Sequence, residues 1–309
     1  MSLRSRVHHL GLVLRDRRWW PFYLQRRFLS RTLREWLAGR IARFRPSAGA
    51  CSSPPEEMQG HLRALQTAGI SRFGQLLSEA QCRELYAYFM ALPVNDSYRA
   101  GSPSFLPDSS GRHPNCHIAH HAARDILSAP YLIELANDPK ILDVASAFLG
   151  CRPTIGYLAS WWSYPTPIGA QQAEHFHRDV DDWRFIKLFI YLTDVDSDNG
   201  PHMYVKHSAN SPLLRRIRRF SDKEIVEAFD ERDVLRITGR AGEGFLEDTF
   251  GVHKGQPVVS GRRLIFQAVY SMFPLPYGPA APVMSRRETP LDAVRELDTW
   301  ANRLYLEFK

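Results

Sequence analysis

The spacing of apolar positions along the chain changes character near Arg152. Upstream of it the period is helical. Over residues 17–46, Phe22, Leu29, Leu33, Trp36, Leu37, Ile41 and Phe44 recur at steps of three and four, which predicts a helix or two with these residues on one face. Arg26, Arg27, Ser30, Arg31 and Arg34 fall opposite. Residues 46–60 (PSAGACSSPPEEMQG) have the composition of a linker. Residues 61–92 read as a helix, a short extended piece over Ile70–Phe73, and a second helix opened by a Ser78/Gln81 capping box. A Ser-, Pro-, Gly- and Asn-rich loop covers 94–117, and Asp138-Pro139 supplies the cap and first turn of a helix reaching Phe148.

Downstream the period falls to two. Segments 153–164, 174–180, 184–193, 201–206, 233–238, 244–249 and 258–271 are short, β-branched or aromatic, and divided by turns such as Asp198-Asn199-Gly200. A helical insert at 221–230, capped by Ser221 with Glu224, interrupts them, and a last helix is expected from Thr289-Pro290 to the C-terminus. Helices followed by closely spaced strands predict an α+β chain built on a sandwich or jelly roll.

Charge sharpens the division. Residues 1–46 hold twelve arginines and no lysine against Asp16 and Glu35, a balance of +10, so the remaining residues sum to −3 of the net +7. The body is therefore not a basic nucleic-acid binder, and the expected layout is a basic extension (1–46), a linker (47–60) and one domain (61–309). Three readings of residues 17–46 stand side by side: a helix packed on its own domain, a helix docked on a membrane surface or partner, and a transit peptide. No apolar run is long enough for a membrane span. Cys51, Cys82, Cys116 and Cys151 form no C-x-x-C pair, and the N-terminus lacks an apolar stretch followed by small residues. A reducing, cytoplasmic setting is expected, with peripheral membrane association as one option.

The chemistry concentrates in Glu174–Asp182, EHFHRDVDD. On an extended chain, residues two apart share a face, so His177 and Asp179 point the same way. They are two of the three ligands of a 2-His-1-carboxylate site for ferrous iron. His253, after the strand expected over 244–249, is the best-placed third ligand, and an arginine at Gly261-Arg262-Arg263 could hold a carboxylate in a two-toothed fork. Other histidines have plainer readings. His175 is a neighbour that holds a ligand in place, His202 and His207 are surface or pocket wall, and His120-His121 are surface. Trp161-Trp162 and Trp183 read first as core, with Trp162 and Trp183 as candidates for substrate contact. Asp181 and Asp182 read as a solvated turn.

The stretch HFHRDVDDWRFIKLFIYLTDVDSDNGPHMYVK, with HKGQPVVSGRRLIFQAVY further on, resembles the phytanoyl-CoA dioxygenase-like proteins over roughly residues 60–272. These are Fe(II)- and 2-oxoglutarate-dependent oxygenases. The resemblance implies a double-stranded β-helix (jelly roll) with flanking N-terminal helices and a C-terminal helix. It implies iron on His177, Asp179 and His253, and Arg263 on the far carboxylate of 2-oxoglutarate, with Arg262 as the neighbouring alternative and Lys187 as a second candidate. It further implies O2 as co-reactant, release of succinate and CO2, and hydroxylation of a small-molecule or amphiphilic substrate, since halogenating relatives lack the carboxylate ligand kept here as Asp179. One departure is plain: where such proteins usually read V-x-G-S-H, this chain reads Val205-Lys206-His207-Ser208-Ala209.

Two other functions compete. A cupin-type metalloenzyme would use His175, His177, Asp181 or Asp182, and His207, and leaves the HKG and RRL stretches without a role. A catalytically silent jelly roll, anchored by the arginine-rich helix, has no need of a ligand triad.

Overall fold

The computed structural model describes residues 16–47, 55–99, 101–285, 287–288 and 297–308. Its strands are β1 (Ile70–Gln75), β2 (Asn95–Asp96), β3 (Ile118–His120), β4 (Thr154–Ser163), β5 (Phe185–Tyr191), β6 (His202–Val205), β7 (Val234–Ile237), β8 (Glu243–Glu247), β9 (His253–Gly255) and β10 (Arg263–Ser271). Seven of them make an antiparallel sheet in the order β1-β8-β5-β10-β4-β3-β2, and β7-β6-β9 make a smaller one. This is the jelly-roll core of an α+β chain. The expected strand positions hold to within a few residues, with two exceptions. Pairing in the last strand begins only at Arg263, and the stretch 174–180 is not a continuous strand. A single 3-10 turn over Gln172–Glu174 leads into isolated bridges, His177 to His253 and Phe176 to Phe220.

Period-two alternation sorts the large sheet. Leu158 and Trp162 on β4, Ile186, Leu188 and Ile190 on β5, and Leu264, Phe266 and Ala268 on β10 enter the main apolar core. Their alternates Tyr157, Ala159, Trp161 and Ser163, Lys187 and Phe189, and Arg263, Ile265 and Gln267 line a cavity between the sheets. Helices close the core side: α3 (Glu56–Thr67), α4 (Glu79–Met90), α5 (Ala123–Leu127), α6 (Leu132–Ala136) and α7 (Pro139–Leu149), preceded by α1 (Trp19–Gln25) and α2 (Arg31–Ala42). The Ser78/Gln81 and Ser221/Glu224 capping boxes form, the second opening α8 (Asp222–Ala228), and Asp138 caps α7 through the amides of Lys140 and Ile141. α3 starts at Glu56, inside the stretch expected to be linker, with Pro55 as its N-cap and Glu56 and Glu57 suited to a first turn. The expected start of the last helix, at 289–290, lies outside the described residues, as do 1–15 and 48–54; the described helix there is α9 (Thr299–Asn302), capped by Asp298.

The N-terminal segment packs on the body with parts of both faces: Leu29 and Ile41 of the apolar stripe meet apolar clusters, and residues of the polar stripe are buried beside them. Arg34 is 2% exposed and Gln25 and Ala38 are buried, whereas Trp36 is 62% and Phe44 89% exposed. The reason lies in what α1 and α2 cover. The Arg34 guanidinium donates to the carbonyls of Gln25, Phe28 and Asp182, and Arg31 pairs with Asp248 at 2.7 Å and Glu35 at 3.0 Å. Gln25 donates to Val180 O at 2.7 Å. Backbone acceptors left over where the 180–183 turn escapes the ladder must be satisfied, and a planar five-donor group does so where leucine could not. Asp182 is likewise buried rather than a solvated turn, accepting the amides of Trp183 at 2.8 Å and Phe273 at 2.7 Å.

Two outcomes follow. Arg34→Ala should lower unfolding stability by about 3 kcal/mol or more, because it orphans buried carbonyls, while Trp36→Ala should stay within about 0.5 kcal/mol. Denaturant titration of both variants checks this, and equal losses would contradict the burial described. Burial lifts Asp182 to about 7, against an ordinary 3.8. The native state thus binds its proton more tightly than the unfolded chain, so the stability this residue allows falls as pH climbs from about 4 to about 7. The stability difference between Asp182→Asn and the parent should therefore move in the variant's favour from pH 5 to pH 8, and a pH-independent difference would refute it.

Candidate active site

The bridge between His177 and His253 sets the site. Each donates its amide to the other's carbonyl, at 2.9 and 3.0 Å, so the two imidazoles stand side by side with ring centres 4.3 Å apart. Each Nδ1 is engaged by a backbone carbonyl two residues upstream, His175 O at 2.9 Å and Gly251 O at 3.1 Å. Both Nε2 atoms consequently face inward. Asp179, whose amide donates to Thr249 O at 2.9 Å, brings its carboxylate to 3.6 Å from His177 Nε2 and 3.2 Å from His253 Nε2. One ligand atom from each of the three residues lies within 4.8 Å of the other two, and no other such group of histidine, cysteine or carboxylate side chains occurs among the described residues. Two Nε2 donors and one carboxylate, backed by carbonyls that fix the ring orientation, fit a divalent transition metal.

The electrostatics suit that role. Burial, and after it His253, pushes His177 down to about 3, so it presents a neutral ring. Enclosure works against the charge of Asp179, yet Lys187, and after it His253, hold that carboxyl well below its ordinary value. Burial also opposes charge on His253, but Asp179 outweighs it and raises its pKa; a bound cation would displace that proton. Lys187 Nζ sits 2.7 Å from Asp179 Oδ2 and 3.0 Å from Asp181 Oδ2. Behind the ligands, His202 Nε2 is 2.8 Å from Glu247 Oε2, and burial lifts Glu247 to about 8 while it lowers His202. This pair lies against the His253 ring.

Arg263 shares the cavity face with Ile265 and Gln267, whereas Arg262 points away, pairing with Asp108 and lying over the Trp162 ring. The Arg263 guanidinium is buried against Gly200 O and Ser163 Oγ. Gly200 adopts φ 81°, so the Asp-Asn-Gly turn aims its carbonyl at the arginine through a conformation that favours glycine. The cavity measures about 240 Å³. Trp162 and Trp183 do not line it. Trp162 is in the core, donating to His121 Nε2 at 3.1 Å, and Trp183 packs on Phe28; it is Trp161, on the alternate parity, that faces the cavity. His121 is buried and His120 lines the cavity, so neither is surface, because β3 pairs with β4 beside the site. Sequence reasoning also passed over Tyr98, Tyr157 and Glu174 on the wall, and over His117, whose Nδ1 is 2.8 Å from Glu174 Oε2. Alternation along β4 signals Tyr157, but nothing local marks Tyr98 or His117, which lie in the long loop.

The departure at 205–209 has a physical signature. His207 occupies φ 63°, the left-handed conformation that a glycine adopts without strain. Its Nδ1 approaches Thr67 O at 3.0 Å, which offsets part of the cost. Ser208, the retained residue, accepts the amide of Val252 at 2.7 Å and so ties this turn to the strand carrying His253. The cupin ligand set does not assemble, because His207 is held at Thr67 and His175 Nε2 at Ala170 O.

Comparisons with known proteins agree with this geometry. No curated protein matches the sequence. Among solved structures, EctD from S. alaskensis, determined with 2-oxoglutarate and 5-hydroxyectoine, is 18% identical, with a TM-score of 0.50 over 73% of this chain and 82% of that one. HygX from Streptomyces hygroscopicus, with nickel, 2-oxoglutarate and hygromycin B bound, is 11% identical, with a TM-score of 0.50 over 76% of this chain and 93% of that one. At these identities the likeness is one of fold. The family model for phytanoyl-CoA dioxygenase (PhyH) matches residues 65–264, a span that includes all three candidate ligands and Arg263. The chain therefore belongs to the phytanoyl-CoA dioxygenase family and is an Fe(II)- and 2-oxoglutarate-dependent oxygenase.

Proposed function

We propose that the protein hydroxylates a C–H bond of a small-molecule or lipid-like substrate, with iron on His177, Asp179 and His253 and 2-oxoglutarate clamped by Arg263. The observation that carries this reading is the convergence of three ligand atoms within 4.8 Å in a cavity that also holds a buried arginine. Iron, when bound, supplies the oxidising chemistry with 2-oxoglutarate and O2, yielding succinate and CO2. The chain's own residues do the rest. Arg263, already fixed by Gly200 O and Ser163 Oγ, offers its remaining N–H groups to a carboxylate within the buried cavity. Lys187 binds the Asp179 carboxylate and so leaves its other edge to the metal. Retention of Asp179 supports hydroxylation over halogenation. Tyr98, Tyr157, Trp161 and Phe189 give the substrate end an aromatic wall, which suits an apolar or amphiphilic carbon skeleton. Membrane-surface association through residues 17–46 belongs to the same reading and is taken further below.

Anaerobic addition of Fe(II) and 2-oxoglutarate should produce their charge-transfer absorption, and Asp179→Ala should abolish it together with succinate release. Arg263→Ala should retain iron but weaken 2-oxoglutarate about 10–100-fold; unchanged cosubstrate affinity would sink the clamp assignment. Lys187→Met discriminates the two roles open to that lysine. Weaker iron binding, by about 10–100-fold, with cosubstrate affinity kept, supports the hold on Asp179, whereas the reverse pattern assigns Lys187 to the far carboxylate of 2-oxoglutarate.

A further inference from the structure

Large apolar side chains are exposed in a concentrated way. Of the thirteen found among the described residues, eight fall in two short segments, 16–47 and 211–220. On α1 and the turn after it, Trp20, Leu24 and Arg27 follow one another at helical steps; on α2 and the turn after it, Leu33, Trp36, Arg40 and Phe44 do the same, and all seven are exposed. The loop 211–220 (SPLLRRIRRF) exposes Leu213, Arg216, Ile217 and Arg219. No acidic group in either segment is left over to balance these arginines. Asp16 is bound to Arg18, Glu35 is shared by Arg31 and Arg184, and the loop has none.

The two segments meet beside the stretch that carries Asp179. Arg178 donates to the carbonyls of Leu213 and Leu214, at 2.9 and 3.0 Å, and two residues later Val180 O accepts Gln25 and Arg26, at 2.7 and 3.2 Å. Loop and helix are thus tied to the same short stretch that carries Asp179. Between them lies a cleft of about 230 Å³, lined by Arg26, Arg178, Ile217, Arg218 and Arg219, that ends on Asp179 itself. On its other side α1 reaches the cavity wall through aromatic contacts, Phe22 to Tyr277 at 6.2 Å and Tyr277 to Tyr157 at 5.2 Å.

We propose that α1, α2 and the 211–220 loop together form a docking face for the surface of an anionic bilayer. The pattern is that of an interfacial anchor: arginines drawn to lipid phosphates, with Trp, Leu, Ile and Phe entering the headgroup boundary. Its position around the cleft turns the Asp179 side of the site toward the membrane. The substrate class that fits is an amphiphile with an anionic head, its head at the arginine cleft and its chain along the aromatic wall. This last step rests on the oxygenase reading; the docking itself does not.

The test uses the full chain in co-sedimentation with vesicles of phosphatidylcholine alone and of phosphatidylcholine with 30% phosphatidylglycerol by composition (about a third of the lipid, to give the negative surface potential required). The parent should bind only the anionic vesicles and release at high salt. L213S/I217S and, separately, R216E should each reduce partitioning at least tenfold, whereas V226S/V259S, which removes exposed apolar groups elsewhere, should not. Matching melting temperatures and an intact Fe(II)/2-oxoglutarate absorption show that the variants are folded. Equal binding to neutral vesicles, absence of binding to either, or loop variants that bind as the parent does would each overturn the proposal. So would release by millimolar inorganic phosphate at constant ionic strength, which would mark a free-anion site. If the charge-transfer absorption is missing from the parent while vesicle binding follows the expected pattern, the oxygenase reading fails and the docking face stands.

Discussion

The carboxylate of Asp179 is the point on which the site is balanced. Lys187 holds one of its oxygens at 2.7 Å, and the Nε2 atoms of His253 and His177 stand at 3.2 and 3.6 Å. Because residues 174–180 do not run as a ladder strand, Asp179 has one backbone bond, to Thr249 O, and its side chain takes its direction from this ion pair. Burying a lysine and a carboxylate together contributes little to stability, since desolvation offsets most of their attraction. What the pair contributes is geometry. It keeps a ligand oxygen aimed between two imidazoles that are themselves fixed by carbonyls two residues upstream.

The site depends in turn on the parity of two strands. On β10 a shift of one residue would send Arg263 outward beside Asp108 and bring Arg262 in; on β5 it would take Lys187 from the cavity to the core. The core itself guards the register. Leu264, Phe266 and Ala268 alternate with Arg263, Ile265 and Gln267, so slipping the strand would bury an arginine and a glutamine among the leucines of β4 and β5. The same packing that stabilises the sheet is what specifies which arginine can meet a cosubstrate.

Such parity is legible in a sequence: it places most strands to within a few residues and sets His177 and Asp179 on one face, whereas the preference for Arg263 over Arg262 rests on the family resemblance of the Arg263-Leu264-Ile265-Phe266 stretch. The capping boxes at Ser78 and Ser221 were legible for a similar reason, each being a local exchange of hydrogen bonds. What could not be read depended on contacts far apart in the chain. Trp162 and Trp161 are adjacent and chemically alike, and only the pairing of β4 with β3 and β10 decides which meets His121 and which the cavity. His117 finds Glu174 across 57 positions, and Asp182 is buried because Phe273 supplies an amide from the other end of the domain.

The N-terminal helices show why amphipathicity alone does not say which face is inside. The usual rule assumes that the surface being covered is apolar. Here α1 and α2 cover a turn whose carbonyls, at Val180 and Asp182, have no strand partner, together with the Asp248 carboxylate. Burying arginine and glutamine satisfies those acceptors, and Trp36 and Phe44 are left in solvent. The two faces of the segment therefore answer to different demands, one to the backbone of the oxygenase domain and the other to whatever the domain rests upon. Removing the segment would disturb both at once, stripping donors from the stretch that follows Asp179 along with the exposed aromatics. Substitutions confined to the outer face separate the two effects, because Trp36 and Phe44 can change without touching a carbonyl that Arg34 must reach.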